Sequence, residues 1–389
     1  MMINLIDCMN IIFFYANIRT YDFTLGITRK VYSEIDAFRK QGYQVYYSGY
    51  LKDGVAIFDN HDQIVYQKNF LFKNDSLNHF FRRGILMNLC ISFMKKTDFG
   101  FDFSFVRYHF FDRKYVSLLK ALKSKSGKVV IEAHSTPKFP KDLSIMRYIG
   151  IKDSIWNKYA KRYVCLVASM SDEENLWGIP VVKISNGIDV STIRLHNYNG
   201  NKEDINLIAV SFESPVHGYD RVLNGIDYYY KNGGSRQIYF HIVGTTLGST
   251  DNLIKKLGLE NRCIKYGPQK GKELDDIYDK CNIGVGCLAN HRIGSQFGSA
   301  LKTKEYIAKG IPFVYGWKEK VLESFKYGLS VELNDTPLDM ESVISFYDSL
   351  PKEGLPLLIR GHLGEEDTWS YQIKKVINGV NTISSPVIK

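Results

Sequence analysis

The chain has 389 residues, 44% of them hydrophobic, enough for two domains of ordinary size with a core each, and nothing in it reads as disordered. Six cysteines, Cys8, Cys90, Cys165, Cys263, Cys281 and Cys287, are scattered with no C-x-x-C pair, which excludes a disulfide scaffold and a zinc module and fits reduced thiols in a cytoplasmic protein. The net charge of +10 falls almost wholly in residues 1–190, which hold 27 Lys and Arg against 18 Asp and Glu, yet no nucleic-acid motif accompanies it and nucleic acid is excluded as a partner.

In chain order, Asn10–Ala16 is an apolar run too short to cross a membrane, with no Lys or Arg before Arg19, so it reads as a first buried strand and not a signal peptide. Met9, just before it, is an alternative start to Met1. Gly26 closes the next loop, where the lack of a side chain lets backbone N–H groups approach a phosphate or sugar; the plainer alternative is a turn glycine opening the helix Ile27–Gln41. QVYYSGY reads as the next strand. The stretch from Gln67 to Lys96 interleaves Lys68, Lys73, Arg82, Arg83, Lys95 and Lys96 with Phe80, Phe81, Leu86 and Phe93. That pattern fits a basic, apolar-faced helix lying in an anionic membrane interface, or else a surface helix packed on its own domain.

FSFVRYH, KVVIEAH, VCLVAS and VVKIS continue the strands, with a helix over Asp112–Lys125. Arg107 ends the first of these, placed for an acceptor phosphate or a structural ion pair. Glu132 and His134 alternate at the end of the second, so one of the two points into a site unless the strand stops at Glu132. Asn186 and Gly187 form a turn near the domain boundary, which falls at residues 189–201.

The second half repeats the alternation. INLIAVSF, IYFHIVG, CIKYG, IGVGCL, PFVYG and LSVEL read as strands, two of them closed by Gly244 and Gly267. Helices follow near Arg221–Tyr230, Asp251–Leu257, Lys272–Lys280 and Ala300–Ala308. The expected fold is α/β with two doubly wound, Rossmann-like domains. Residues 1–190 form the first and 191–367 the second, with a terminal helix over 368–380 crossing back onto the first and a ligand cleft at the C-terminal ends of the strands.

The segment HRIGSQFGSALKTKEYIAKGIP, from His291 to Pro312, carries the most chemistry. Ser299 is placed as N-cap and Gly310 as stop of a short helix, whose positive end, with Arg292 and Lys302, suits a diphosphate. Glu305, one turn on, is placed for ribose hydroxyls. An ordinary i,i+3 Lys/Glu pair on a solvated helix is the alternative. Asp275-Asp276 sits beside Lys272 and Lys280 as a solvated helix face, not a metal motif, and no essential metal or other cofactor is expected.

LKTKEYIAKGIPFV resembles the donor-site helix of the family 4 retaining glycosyltransferases, in a bacterial surface-polysaccharide (capsule and O-antigen) branch. TLGITRKVYSEIDAFRKQGYQVYY, KVVIEAHSTP, GIPVVKISNGIDV and VSFESPVHGYDRVLNGIDYY resemble further segments of that family in the same order. The resemblance implies the GT-B fold, an acceptor-side first domain, a donor-binding second domain, and a nucleotide-diphosphate sugar, UDP-linked, as co-substrate. It departs at Phe212 and His217, where most members have Arg and Lys on the diphosphate, and at Phe297, where they have a glutamate. The charge is therefore expected from Arg221, Arg292 and Lys302.

The implied donor-binding set is Gly26, Asn186, Gly187, His217, Arg221, Gly244, Gly267, Ser299, Lys302 and Glu305. Catalysis falls to His134, Arg292 and Lys302, with His134 contacting the transferred sugar or assisting the acceptor hydroxyl. Arg107, Glu132 and His134 face the acceptor. The implied reaction is metal-independent transfer, with retention, to a polyprenyl-diphosphate-linked oligosaccharide, by a cytoplasmic protein held peripherally on the anionic inner face of the plasma membrane. A nucleotide-sugar epimerase of the same architecture and a catalytically silent nucleotide-sugar-binding partner are the alternatives.

Overall fold

The computed structural model describes residues 10–23, 25–70, 75–133, 145–197, 203–294, 296 and 298–383; His134, Phe297, Lys73 and both candidate starts lie outside these. The chain divides into two compact units, one of Met1–Ser185 with Trp369–Lys389, the other of Asn186–Thr368.

The first unit runs β1 (Ile11–Tyr15), α1 (Gly26–Lys40), β2 (Gln44–Tyr50), β3 (Gly54–Phe58), β4 (Ile64–Asn69), α2 (Asp75–Lys96), β5 (Phe103–Arg107), α3 (Arg113–Ser126), β6 (Val129–Ala133), α4 (Ile145–Trp156), β7 (Leu166–Ser169), β8 (Asn175–Leu176) and β9 (Ile179–Lys183). Its sheet order is β4-β3-β2-β1-β5-β6-β7-β9-β8. The unbroken apolar run of β1 follows from burial on both faces. Phe13 meets Phe93 of α2 and Phe101 on one side, and Phe14 meets Phe38 of α1 on the other.

Two features depart from an all-parallel reading. β3 and β4 form an antiparallel hairpin on β2, and β8 lies antiparallel to β9. The hairpin turn is held by Asp59, whose Oδ1 accepts from the N–H groups of His61 and Gln63, both at 2.9 Å. β4 is an exposed edge whose Gln67, Lys68 and Asn69 give it no apolar alternation to read, while protecting it from strand addition.

The second unit contains β10 (Ile205–Val210), α5 (Tyr219–Lys231), β11 (Ile238–Val243), α6 (Gly248–Leu257), β12 (Cys263–Gly267), α7 (Gly271–Tyr278), β13 (Ile283–Val285), α8 (Leu301–Lys309), β14 (Phe313–Tyr315), β15 (Gly328–Ser330), α9 (Met340–Ser349) and α10 (Leu355–Arg360). All pairs in its sheet, ordered β12-β11-β10-β13-β14-β15, are parallel. The chain then returns as α11 (Trp369–Thr382), which belongs to the first unit and packs against α1. The boundary falls a few residues before 190 because Asn186 is bonded into the second unit: its N–H donates to Ser299 Oγ at 3.1 Å.

Strand order changes direction between β10 and β13 in the second unit, and between β1 and β5 in the first. In open parallel sheets such reversals leave a crevice at the C-terminal strand ends, where ligands bind.

Candidate functional site

At the reversal in the second unit, the chain leaving β10 turns through a one-turn helix, Pro215–His217, before α5. Ser214 caps that turn, and His217 completes a capping box by accepting the Ser214 N–H at Nδ1 (3.0 Å). In the neutral ring the proton therefore sits on Nε2, which becomes a donor. Burial and the charge of Lys302 push the His217 pKa down to about 3, so the neutral ring persists through physiological pH.

Across the reversal, α8 starts one residue later than the sequence suggests. Ala300, and not Ser299, occupies the N-cap and makes no side-chain bond to the helix. The Ser299 hydroxyl is engaged by Asn186 instead, and the Asn186 amide donates to the Ser299 carbonyl. Gly310, at φ 75°, ends the helix in left-handed geometry, where a Cβ would meet Pro356 O at 2.3 Å. The helix is anchored by Tyr306, whose hydroxyl lies 3.1 Å from Ile208 O of β10 and 3.0 Å from Val285 O of β13.

One turn before Tyr306, on the same face, is Lys302. Its side chain is buried, and its ammonium has no hydrogen-bond partner among the described residues. Burial lowers its pKa, opposed by Cys287 and by Glu305 one turn on. An unpaired buried ammonium is costly, and a bound anion is the natural compensation. Lys302, His217 and half-buried Glu305 are thus brought together at the first turn of α8, where the helix dipole adds positive potential.

The two arginines expected beside them are committed elsewhere. The Arg292 guanidinium grips Asp220 with Nη1–Oδ1 at 2.9 Å and Nη2–Oδ2 at 2.7 Å, and also bonds Asp335 Oδ1 and the Pro215 carbonyl. These carboxylates raise its pKa and neutralise its charge. Arg221 donates to the carbonyls of Thr336 (2.7 Å), Glu332 (3.0 Å) and Leu288, so it ties loops together. Both are struts of the site's wall.

Gly244 and Gly267 lie at neighbouring strand ends, joined by an N–H···O bond of 2.8 Å. At Gly244, with φ 119°, an added Cβ would lie 2.0 Å from Ser211 O, so only glycine fits. Gly187 is buried beside Asn186. Phe212, where the resemblance led an arginine to be expected, is 71% exposed.

In the first unit, Gly26 opens α1 directly, with Leu25 as N-cap. Arg107 and Glu132 are register partners on β5 and β6 and face each other in a buried charge cluster. Arg107 Nε is 3.8 Å from Glu132 Oε2, and Lys30 pairs with both Glu132 and Glu34. Glu132 is thus paired inside this unit, with Arg107 beside it. The basic stretch also resolves towards packing. On α2, Leu86, Met87, Cys90 and Met94 are buried in the core, and Phe93 packs against it. Arg83 is held by Asp112 at 2.5 Å and by the Phe110 carbonyl, and Arg82 lies 5.0 Å over the Tyr50 ring. Lys95, Lys96 and Phe81 remain exposed.

Several residues that build the site were missed. Ser214 had a readable signal, a Ser-Pro pair three residues before His217. Lys304, buried and paired with Asp367 at 2.8 Å, and Glu213, whose carboxylate accepts from the Leu247 N–H and the Thr250 hydroxyl, had none, since their partners are distant in sequence. Among the described residues no group of three or more His, Cys, Asp or Glu is arranged to hold a metal.

No protein-family model matches the chain, and no curated protein does. Solved structures do. A glycosyltransferase from Rickettsia africae is 14% identical, with 96% of this chain and 99% of that one covered at a TM-score of 0.64. Anabaena HepE, solved in complex with UDP, is 13% identical with coverages of 96% and 100% and a TM-score of 0.62. Sucrose-phosphate synthase from Thermosynechococcus elongatus is 12% identical with the same coverages and a TM-score of 0.63. At such identities the likeness is one of architecture, and the architecture, two Rossmann-like units spanning the whole chain, is the GT-B fold.

Proposed function

We propose that this protein is a retaining glycosyltransferase that uses a nucleotide-diphosphate sugar, UDP-linked, to extend a lipid-linked oligosaccharide during bacterial capsule or O-antigen synthesis. The observation that carries the reading is the buried ammonium of Lys302, without a hydrogen-bond partner among the described residues, at the strand-order reversal of the second unit. Lys302 and the Nε2–H of His217 stabilise the negative charge that develops on the leaving diphosphate, in a dry site where such contacts are strongest. Glu305 accepts from the ribose hydroxyls and does not attack the sugar. The acceptor is deprotonated on the same face by the departing phosphate, so configuration is kept and no metal is needed. The GT-B neighbours, one of them holding UDP, support the donor class.

Arg292 and Arg221 leave fewer cations for the diphosphate than the family pattern has, which favours one second reading: a nucleotide-sugar-binding protein without transfer activity. Incubating the pure protein with a panel of UDP-sugars, and following UDP release and sugar identity, tests both. UDP release is expected for one sugar of the panel. Isomerisation of the sugar would make the protein an epimerase, and saturable binding without any release would make it the silent partner.

A further inference from the structure

We propose that α4 is the surface by which this protein docks on an anionic lipid bilayer. The inference deepens the reading of a membrane-borne acceptor and rests on it for its purpose. α4 faces inward through Asp153, buried, whose Oδ1 accepts from the Tyr108 hydroxyl and the Phe111 N–H, both at 2.6 Å. Outward it carries Tyr148, Ile151 and Ile155 at i, i+3 and i+7, a single stripe, and they are 57%, 50% and 49% exposed. Met146 is exposed on the same helix. Single exposed apolar residues are ordinary, but large ones aligned on one helix mark a contact surface.

The charges around the stripe name the occupant. From Ile145 to Tyr163 the chain has five cations, Arg147, Lys152, Lys158, Lys161 and Arg162, and one acid, Asp153, which is internal. Arg147, Lys158, Lys161 and Arg162 are exposed, and Lys152 Nζ lies 4.4 Å over the Tyr148 ring. Apolar side chains flanked along the chain by cations complement an anionic interface in both hydrophobicity and charge. α2, by contrast, turns Leu86, Met87, Leu89 and Met94 into its own core, which leaves it little to insert.

Flotation of the full-length protein with vesicles of phosphatidylcholine, with and without phosphatidylglycerol, tests the proposal. Binding is expected on the anionic vesicles only. The double variant Ile151→Glu/Ile155→Glu is expected to reduce it by about tenfold or more, while Lys95→Glu/Lys96→Glu on α2 leaves it within about twofold. Because the substituted side chains are exposed, a thermal melt should match the parent and exclude misfolding. An unbound parent, or a double variant that floats like the parent, overturns the proposal. So does a parent that is dimeric by size exclusion, becomes monomeric in the double variant and never floats, since the stripe is then an interface between copies. Hydrolysis of a UDP-sugar in solution is read in parallel: hydrolysis without flotation overturns the docking surface alone, and flotation without hydrolysis overturns the transferase reading alone.

Discussion

Arg292 and Asp220 face each other fork to fork, Nη1 donating to Oδ1 at 2.9 Å and Nη2 to Oδ2 at 2.7 Å. The pair ties the turn after β13 to the first turn of α5, and Asp335 adds a third member. A cation so neutralised positions a wall and contributes little field of its own. Arg292→Ala is therefore expected to lower stability by about 1 kcal/mol, as befits a partly exposed bidentate network. It should weaken UDP binding less than Lys302→Ala does. Denaturant melts and calorimetric titration read the two effects separately, and a UDP affinity lost equally in both variants would restore Arg292 as a direct phosphate ligand.

Lys302 has the opposite character. Its ammonium is buried without a partner among the described residues, so the ligand-free protein bears a desolvation penalty that nucleotide, on the proposed reading, is expected to relieve. Lys302→Met keeps the length and apolar stem and removes the charge. The variant should melt at a higher temperature than the parent without ligand, yet lose most of the stabilisation that UDP gives, with a binding loss of about 1 to 3 kcal/mol. A less stable empty variant with unchanged UDP affinity would make Lys302 a structural residue.

The contrast between these two cations marks what the sequence discloses. Apolar runs such as Ile11–Tyr15 and Ile205–Val210 declare buried parallel strands, and Gly310 declares the end of α8, because burial on two faces and left-handed geometry restrict residue choice locally. The segment around Lys302 is legible for the same reason. The fate of each charge is not. Arg292 meets an aspartate 72 residues earlier, and Glu132 meets Lys30 across 102 residues, so a cation with a partner and one without look alike in sequence. Equally, nothing in the string from Gln67 to Lys96 announces that Leu86 and Met94 turn inward while Phe81 stays out.

The proposed electrostatics assign to Lys302, His217 and the α8 dipole the task that a divalent ion performs elsewhere. Release of UDP from the donor should accordingly survive dialysis against excess EDTA with its rate unchanged within about twofold. Abolition by EDTA and restoration by manganese or magnesium would refute that assignment while leaving a glycosyltransferase in place.

The last prediction is a pH dependence with two opposite signs. Burial holds the Lys302 pKa below its ordinary 10.5, so between the lowered value and 10.5 the folded protein binds fewer protons at this group than the unfolded chain does. Stability of the empty protein should therefore gain from Lys302 as pH rises through that window, because the penalty of the buried charge is full below the lowered pKa and absent above 10.5. UDP affinity should fall over the same window, since the neutral amine no longer attracts the diphosphate, whose own protons are already gone. His217, with a pKa pushed down to about 3, stays neutral throughout and contributes no slope. Titrations of UDP affinity and melting temperature from pH 7 to 10 on the parent and on Lys302→Met isolate the group, because other titrations cancel in the difference. The difference curves should run in opposite directions and begin to change at the same pH, the lowered pKa of Lys302 in the ligand-free protein. Two flat curves would mean that Lys302 keeps its proton throughout and that its burial leaves room for a compensating partner in solution.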